Sequence, residues 1–266
     1  MSNYKSREKV LKHKDKTLEI LNEYLIELAK DQPKKVDLIS YWLHTYSNYL
    51  RYEEFFDPKR NKRYERGDIV KVQFGFNVGS EYGGLHYAVV IDKNNNLSSP
   101  VVTVVPLSST DDKIISKHNV DLGNELVQKV KSKLLGMQQE VLEKEKDNER
   151  FLEELHNLID ESEIDEGKKE IHVSDEKYYD IKCIIEKCYE KLDQINEQKR
   201  DIRKMLKELS KMKNGSMALV NQMTCISKIR IEDPKNMYGV LHGIKLSPEG
   251  LDRINEKIKE LYIMNA

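Results

Sequence analysis

Two long stretches with an apolar residue at every third or fourth position constrain this chain more than any other feature. The first begins near Asn124 and the second ends near Leu209, with an acidic, polar stretch between them at about 160–176. If the chain folds back at that stretch, the apolar positions of the two arms face each other along their whole length. The pattern predicts an antiparallel coiled-coil hairpin over residues 124–213, with arms reaching roughly 45 Å.

The seven-residue repeat also assigns the positions that face the other arm. In the first arm they are Val127, Val130, Leu134, Met137, Val141, Phe151, Leu155 and Leu158. In the second arm they are Ile181, Ile185, Cys188, Leu192, Ile195, Ile202, Leu206 and Leu209, with Lys199 as the polar member. Such a hairpin carries no catalytic residues that the pattern identifies, so we expect it to bind a partner, brace the fold or join two chains.

The N-terminal quarter is predicted to be helical as well. Leucines at spacings of three, four and seven indicate a helix from residue 4 to residue 30. Pro33 ends it, because proline lacks the amide hydrogen that a helix needs, and a second helix follows from Val36 to Arg51. We therefore expect a helical pair over residues 1–56, followed by a basic linker at 57–66.

The remaining segments have the pattern of short β-strands. Alternating or fully apolar runs occur within 67–123, separated by Gly, Asn, Ser and Pro, and resume within 214–266, which ends in a helix announced by Ser247-Pro248-Glu249. Short strands at this spacing are typical of a small barrel or sandwich. The predicted class is α+β, with one β-domain built from 67–123 and 214–266 and split by the helical hairpin.

Composition limits the classes of function. The chain has 45 basic and 46 acidic residues and a net charge of −1, so an RNA-binding surface would have to be a local patch. Its three cysteines form no CxxC pair, which favours a reducing compartment. No apolar run approaches the about 20 residues of a membrane span, and no signal peptide is visible. We expect a cytoplasmic protein that does not enter a membrane.

Three motifs follow one another at the start of the predicted β-domain. They are Arg66-Gly67-Asp68-Ile69-Val70, the loop Gly79-Ser80-Glu81-Tyr82-Gly83-Gly84 and the strand Ala88-Val89-Val90-Ile91. Together they resemble the opening of PemK/MazF-type toxins. The run Val104-Val105-Pro106-Leu107-Ser108-Ser109, the segment Leu219-Val220-Asn221-Gln222 and the final helix resemble later parts of the same family. The resemblance covers roughly 64–122 and 214–266, and its first three motifs are its most specific.

The resemblance implies an SH3-like barrel that dimerises, cleaves single-stranded RNA without a metal or cofactor, and is blocked by a cognate antitoxin or regulatory protein. The family's catalytic Thr or Ser position corresponds to Ser108. The family's arginine position is occupied by His86. Histidine grips a phosphate less firmly than arginine but transfers protons near neutral pH. His86 therefore either replaces the arginine in catalysis or marks a lost activity.

Other residues have two interpretations each. Glu81 either orients His86 at the nucleotide or makes hydrogen bonds within its own loop. Tyr82 and Tyr87 either stack on unpaired bases or pack in the barrel. Gln222 lies in the later family-like strand and is expected near the RNA. The basic residues of the linker either follow an RNA backbone or are simply solvated, and they are Lys59, Arg60, Lys62, Arg63 and Arg66.

Two functions remain open from the sequence. The first is a toxin with endoribonuclease activity, in a toxin–antitoxin or phage-defence system, with His86, Ser108 and Glu81 at the phosphate. The second is a catalytically inactive barrel that binds RNA or assembles a complex through its coiled coil. Because residues 1–56 precede the barrel directly, a further hypothesis is that the helical pair closes the RNA groove as a built-in inhibitor.

Overall fold

The computed structural model describes residues 6–110, 115–160, 163–165, 170–172 and 174–263. Its helices are α1 Arg7–Asp31, α2 Pro33–Glu53, α3 Glu125–Asp160, α4 Asp175–Leu209 and α5 Pro248–Tyr262. Its strands are β1 Ile69–Gln73, β2 Leu85–Val90, β3 Val101–Ser109, β4 Asn119–Gly123, β5 Glu163–Asp165, β6 Glu170–His172, β7 Ser216–Leu219, β8 Thr224–Ser227 and β9 Ile231–Asp233. The predicted α+β class is confirmed.

Seven strands from both sides of the helical insertion form one antiparallel sheet. Its order is β4-β7-β3-β2-β1-β9, and β8 pairs with the first half of β3. β7 lies between β3 and β4, so a segment that follows the insertion completes the sheet begun before it. Among the described residues the sheet is open, so closure into a barrel remains a prediction.

The alternation of side chains along each strand buries both faces of the sheet. One face, with Ile69 and Val89, packs under the roots of α3 and α4 and under α5. The other face, with Val70 and Val90, packs against the segment that carries β8 and β9. The buried Tyr64 joins this second core and donates a 2.9 Å hydrogen bond to the carbonyl of Pro234.

α3 and α4 run antiparallel to each other and contact along their length. Polar contacts between described residues join the arms, and they include Lys199 with Glu145 at 2.6 Å, Gln198 with Glu140 at 3.1 Å, and Lys191 with Asp147 at 3.2 Å. The apolar residues buried higher in the hairpin are Val141, Ile184, Cys188 and Ile195. Part of the polar stretch expected at 160–176 lies outside the described residues, and the described part includes the β5–β6 pair.

The seam of α4 differs from its predicted assignment. Ile184 and Met205 are buried, whereas their neighbours Ile185 and Leu206 are 36% and 45% exposed and Leu192 is 42% exposed. The heptad series of Ile185 continues with Leu192, Lys199 and Leu206, whereas that of Ile184 continues with Lys191, Gln198 and Met205. The pattern therefore favours the series that the structure leaves exposed. Packing at the root decides, because Met205 enters the main core and thereby sets the rotation of α4.

This rotation leaves an apolar flank along one side of the hairpin. Its described members are Leu135, Leu142, Ile185, Leu192 and Leu206, with exposed fractions between 36% and 60%. Positions 185, 192, 199 and 206 are seven residues apart and so share one stripe of α4. We refer to these five residues as the apolar flank.

Candidate active site

β2 and β3 bring His86 and Ser108 to the same end of the sheet. The two strands are antiparallel, and Ala88 lies opposite Pro106. His86 is two residues before Ala88 and Ser108 is two residues after Pro106, so both lie towards the same end of the strand pair. Both line a cavity of ≈ 440 Å³. Cavities of about 300–1,000 Å³ commonly hold small ligands, so this one is large enough for a nucleotide.

Tyr82 fixes the position of the imidazole. Its ring centroid lies 4.5 Å from that of His86 and 5.8 Å from that of Phe74, and its hydroxyl donates a 2.9 Å hydrogen bond to the carbonyl of Leu107. Burial raises the pKa of the Tyr82 phenol, although a hydrogen bond with Ser108 acts in the opposite direction. The tyrosine therefore connects the loop before β2 to both candidate catalytic residues.

The glycine just before β2 allows this close arrangement. Gly84 has φ of +89°, a conformation that residues with a Cβ rarely adopt. A methyl group at this position would lie 3.2 Å from Nε2 of His86. The glycine thus lets the backbone turn into β2 while the imidazole lies directly against it.

Glu81 and Gln222 lie at the outer loop of the site. The carboxylate of Glu81 accepts a 3.4 Å hydrogen bond from the backbone N–H of Val78, within its own loop. The side-chain oxygen of Gln222 accepts a 3.2 Å hydrogen bond from the N–H of Tyr82, and its amide nitrogen donates to the carbonyl of Ser80. Gln222 therefore anchors the loop that presents Tyr82 to His86.

Three lysines and one carboxylate set the charge of the site. Lys71, Lys211 and Lys213 line the cavity. Lys71 is ion-paired with Glu208, which lies 3.5 Å from Lys211 and accepts a 2.6 Å hydrogen bond from the hydroxyl of Tyr87. Burial alone would raise the pKa of Glu208, but the hydrogen bonds from Lys71 and Tyr87 and the charge of Lys71 lower it. The carboxylate is therefore ionised, and it lies beside Lys71 and Lys211.

Apolar side chains complete the wall of the cavity, and they are Leu85, Leu107, Leu126, Val127 and Met212. The cavity is thus lined by an imidazole, hydroxyl groups, lysine side chains and an apolar wall. This combination suits a ligand that carries both a phosphate and a flat base.

Comparison with known families agrees with this chemistry. Residues 65–174 match the family model described as PemK-like, MazF-like toxin of type II toxin–antitoxin systems. This part of the chain therefore resembles a PemK-like toxin domain. A search of curated proteins returned no match. Toxins of this family pair with antitoxins.

The matched region covers β1 to β4 and continues into the helical hairpin, so it contains His86 and Ser108. The strands β7 to β9 lie outside the match, yet β7 pairs with β3 directly beside Ser108. The PemK-like sheet is therefore completed by a part of the chain that the family model does not reach.

The linker cations predicted to bind RNA lie elsewhere on the PemK-like domain. Lys62 is ion-paired with the buried Asp68 at 2.6 Å, and Arg66 donates to the carbonyl of Ile91 and to Asn255. The side chains of these two cations thus brace β1 and α5. The exposed cations of the segment are Lys59, Arg60 and Arg63. Within the described part of the chain, no residue of 57–66 lines the cavity.

The helices α1 and α2 contact the PemK-like domain outside the cavity wall, although Thr45 of α2 lines a neighbouring cavity that shares Lys71 and Leu85 with it. The ring of Trp42 packs against the backbone of Gly75, and Arg230 lies 5.4 Å above the same ring. Tyr49 donates a 2.6 Å hydrogen bond to Glu232. The residues that line the cavity include none from 6–56, so the described arrangement gives no support to the hypothesis that the helical pair closes the site.

A larger cavity of ≈ 890 Å³ lies between the first turns of α3 and the loop before α5. Its polar groups hold these elements together. Lys133 donates to the carbonyls of Val240 and His242 at 3.0 and 2.7 Å, and Glu125 accepts from the N–H and hydroxyl of Ser247. The smaller cavity, which holds His86 and Ser108, is therefore the candidate active site.

Sequence reasoning did not anticipate the cations and the carboxylate that surround this cavity. Lys71 lies within an apolar strand, and Glu208 has the appearance of a solvated helix residue. The run Lys211-Met212-Lys213 before Asn214-Gly215 is the available signal, since it places two cations where the hairpin rejoins the sheet.

Proposed function

We propose that this protein is a metal-independent endoribonuclease that cleaves single-stranded RNA. The observation that carries the proposal is the shared cavity, where His86 and Ser108 of a PemK-like domain meet three lysines. Attack by a ribose 2′-hydroxyl on the neighbouring phosphate needs a base for the hydroxyl and donors for the charged phosphorane. The cavity holds both kinds of group.

In the proposed reaction the imidazole of His86 takes the proton of the 2′-hydroxyl as its oxygen attacks phosphorus. The bond from phosphorus to the 5′-oxygen breaks, and that oxygen takes a proton from the imidazolium, directly or through water. Ser108 donates a hydrogen bond to a non-bridging phosphate oxygen, and lysines offset the developing negative charge. The products are a 2′,3′-cyclic phosphate and a free 5′-hydroxyl.

The remaining predicted residues have supporting roles in this proposal. Glu81 shapes the loop from its outer side, and Gln222 holds Tyr82 against His86. A base seated on the apolar wall would lie beside the ring of Tyr82. Tyr87, Lys62 and Arg66 brace the fold, because each already binds a protein group. The exposed Lys59, Arg60 and Arg63 follow the RNA backbone beyond the cavity.

The proposal includes a barrel-like sheet. β8 pairs with β3 and β9 pairs with β1, while residues 228–230 join β8 to β9 in a single turn of 3-10 helix. The strands β1, β2, β3, β8 and β9 thus curl around the core that contains Val70 and Val90. This curl supports the SH3-like assignment.

We further propose a coiled-coil hairpin, a homodimer and a cytoplasmic toxin that acts in growth control or phage defence and is restrained by an antitoxin. The polar contacts between the arms and the buried residues of their seam support the coiled coil. Cys183, Cys188 and Cys225 are all free thiols in the structure, which fits a reducing compartment.

The test is cleavage of a long, mostly unpaired RNA in EDTA by the wild type, His86→Ala and Ser108→Ala. We expect the wild type to give discrete fragments with cyclic phosphate ends, and each variant to lose that activity. His118→Ala is the matched control, because His118 is a partly exposed histidine on the segment that leads into β4 and does not line the cavity. If His86→Ala cleaves as fast as the wild type, His86 has no part in the chemistry.

The second candidate function is a catalytically inactive module that binds RNA or assembles a complex through its hairpin. The apolar flank favours it, because exposed leucines at seven-residue spacing are the seam of a further helix-to-helix contact. Lack of RNA cleavage by the wild type, even after removal of residues 1–56, together with RNA binding or flank-dependent assembly, would favour this function.

A further inference from the structure

The helical hairpin rejoins the sheet directly beside the proposed catalytic residues. α4 ends at Leu209, and the following residues Lys211, Met212 and Lys213 line the cavity. The N–H of Thr110 donates to the carbonyl of Gly215 at 3.3 Å, and β7 then pairs Met217 with Ser108. The exit of the hairpin is thus fixed alongside the end of β3.

Gly215 makes this close return possible. Its φ is +78°, and a methyl group at this position would collide with the side chain of Thr110. The backbone therefore passes within contact distance of β3 and turns immediately into β7. The two lysines before it are held at the rim of the cavity by a tight turn rather than by a mobile loop.

The three cavity lysines are held to different degrees. Lys71 is 15% exposed and shares one carboxylate oxygen of Glu208 with the hydroxyl of Tyr87. Lys211 is 54% exposed and lies 3.5 Å from the other oxygen. Lys213 is exposed. Exchange of a long, exposed ion pair for a phosphate contact has a small energetic cost, so Lys211 can change partners while Lys71 stays in place.

We propose that the root of the hairpin forms the phosphate-binding part of the active site, with Lys211 and Lys213 holding the RNA phosphate that His86 and Ser108 act upon. Glu208 is the internal competitor for that phosphate, since its carboxylate holds Lys211 until RNA binds. This inference rests on the proposed function and names the substrate contact of the same site. It makes the hairpin a component of the site as well as an arm that can meet partners.

The test measures binding and cleavage separately, with the full-length protein. Binding is measured by fluorescence anisotropy over a series of salt concentrations. The probe is a labelled single strand of random sequence with 2′-deoxyribose throughout, which lacks the 2′-hydroxyl and so cannot be cleaved by 2′-hydroxyl attack. Cleavage uses the unmodified RNA. The variants are Lys211→Ala, Lys213→Ala, their double, their arginine counterparts and Glu208→Gln. Lys207→Ala is the matched control, because Lys207 is exposed on the same helix end and is not among the residues that line the cavity.

Each alanine should reduce the slope of log affinity against log salt by about 0.7, the value for one phosphate contact on a single strand. The double variant should lose about twice as much of the slope. The arginine variants should bind like the wild type because they keep the charge, and Lys207→Ala should also match the wild type. Glu208→Gln should bind more tightly than the wild type, because it removes the negative charge beside Lys211. Far-UV circular dichroism verifies that each variant is folded.

The outcomes separate this inference from the proposed function. If the wild type binds or cleaves RNA while both alanine variants match it, the inference fails and the nuclease proposal stands. If lysine-dependent binding occurs without cleavage, the phosphate-binding role stands and the nuclease proposal fails. If the wild type neither binds nor cleaves, both are overturned. Weaker binding by folded Glu208→Gln would contradict the role given to that carboxylate.

Discussion

Two helical pairs are attached to one sheet in this protein, and they are attached in different ways. The pair α3–α4 sends its root into the main core, where Val130 and Met205 are almost completely buried. The pair α1–α2 has no buried residue along either helix. The first is therefore part of the folding unit, whereas the second is attached to its surface.

A similar hydrogen bond joins each pair to the sheet. Tyr87 of β2 donates to Glu208 of α4, and Tyr49 of α2 donates to Glu232 of β9, both at 2.6 Å. Burial, followed by the hydrogen bond to a carboxylate, raises the pKa of both phenols. The Glu208 side chain is 12% exposed, whereas that of Glu232 is 39% exposed. Two hydrogen bonds of equal length therefore lie in surroundings that differ in burial.

The burial around a contact therefore decides whether an attached element stabilises the whole fold. Apolar burial contributes about 25 cal/mol per Å² and is lost when the element leaves. An exposed element that leaves loses mainly its few local contacts. We therefore expect loss of the hairpin root to unfold the sheet, and loss of the N-terminal pair to leave it folded.

The largest expected effect comes from the core residue of the hairpin root. Met205→Ala should lower the free energy of unfolding by about 2–5 kcal/mol, because it leaves a cavity under the sheet. Leu18→Ala is the matched control on α1, where the side chain is 55% exposed, and it should change stability by less than about 0.5 kcal/mol. Urea unfolding measures both. Equal effects would show that the two pairs are attached alike.

The next effect separates the two tyrosine contacts. Tyr87→Phe should lower global stability by about 1.5–3 kcal/mol, the usual contribution of a hydrogen bond to a charged group. Tyr49→Phe should loosen α1 and α2 and leave the sheet unchanged. Hydrogen exchange resolved by peptide measures this, with faster exchange across β1 to β3 in the first variant and confined to 7–53 in the second. Faster exchange across the sheet in Tyr49→Phe would break the distinction.

A smaller effect should appear in the dependence of stability on pH. The folded protein lowers the pKa of Glu208 below its ordinary value of 4.5. The carboxylate therefore stabilises the fold above that value, and this contribution is lost as the pH falls through the lower, folded pKa. The difference in unfolding free energy between wild type and Glu208→Gln should be present at neutral pH and shrink below pH 4.5. Glu232→Gln should leave the main transition unchanged at both pH values.

The smallest effect concerns the order of unfolding. Trp42 is the single tryptophan of the chain and lies where α2 meets Gly75 and Arg230. Its fluorescence therefore reports the docking of the N-terminal pair. We expect its transition in urea to precede the loss of sheet protection in hydrogen exchange, because the docked pair opens locally first. A single coincident transition would mean that the pair unfolds with the core.

Local signals in the sequence were sufficient for most of the elements. Apolar alternation placed β1 at the residues where it occurs, and Pro33 marked the boundary between α1 and α2. The proline opens α2 at its first position, where its missing amide hydrogen is not needed. The apolar run at 216–231 was harder to resolve, since it forms three short strands separated by single turns of 3-10 helix.

The site was less predictable for a physical reason. His86 and Ser108 were predicted from motifs, and their strands pair directly. Lys71 and Lys213 come from distant segments and both line the cavity, while Glu208 of α4 is ion-paired with Lys71. The choice of Ile184 over Ile185 in the seam likewise depended on how Met205 packs in the core. Tertiary packing makes these decisions, and no local repeat encodes them.

The hairpin leaves the sheet at Gly123 and returns at Ser216, two residues that are paired across neighbouring strands. Its entry and exit therefore stay adjacent whatever the length of the arm between them. Above the root, each deleted or added set of seven residues per helix changes the reach of the arm by about 10 Å while the seam stays in register. The arm can thus act as an adjustable ruler that sets how far from the cavity a bound partner stands.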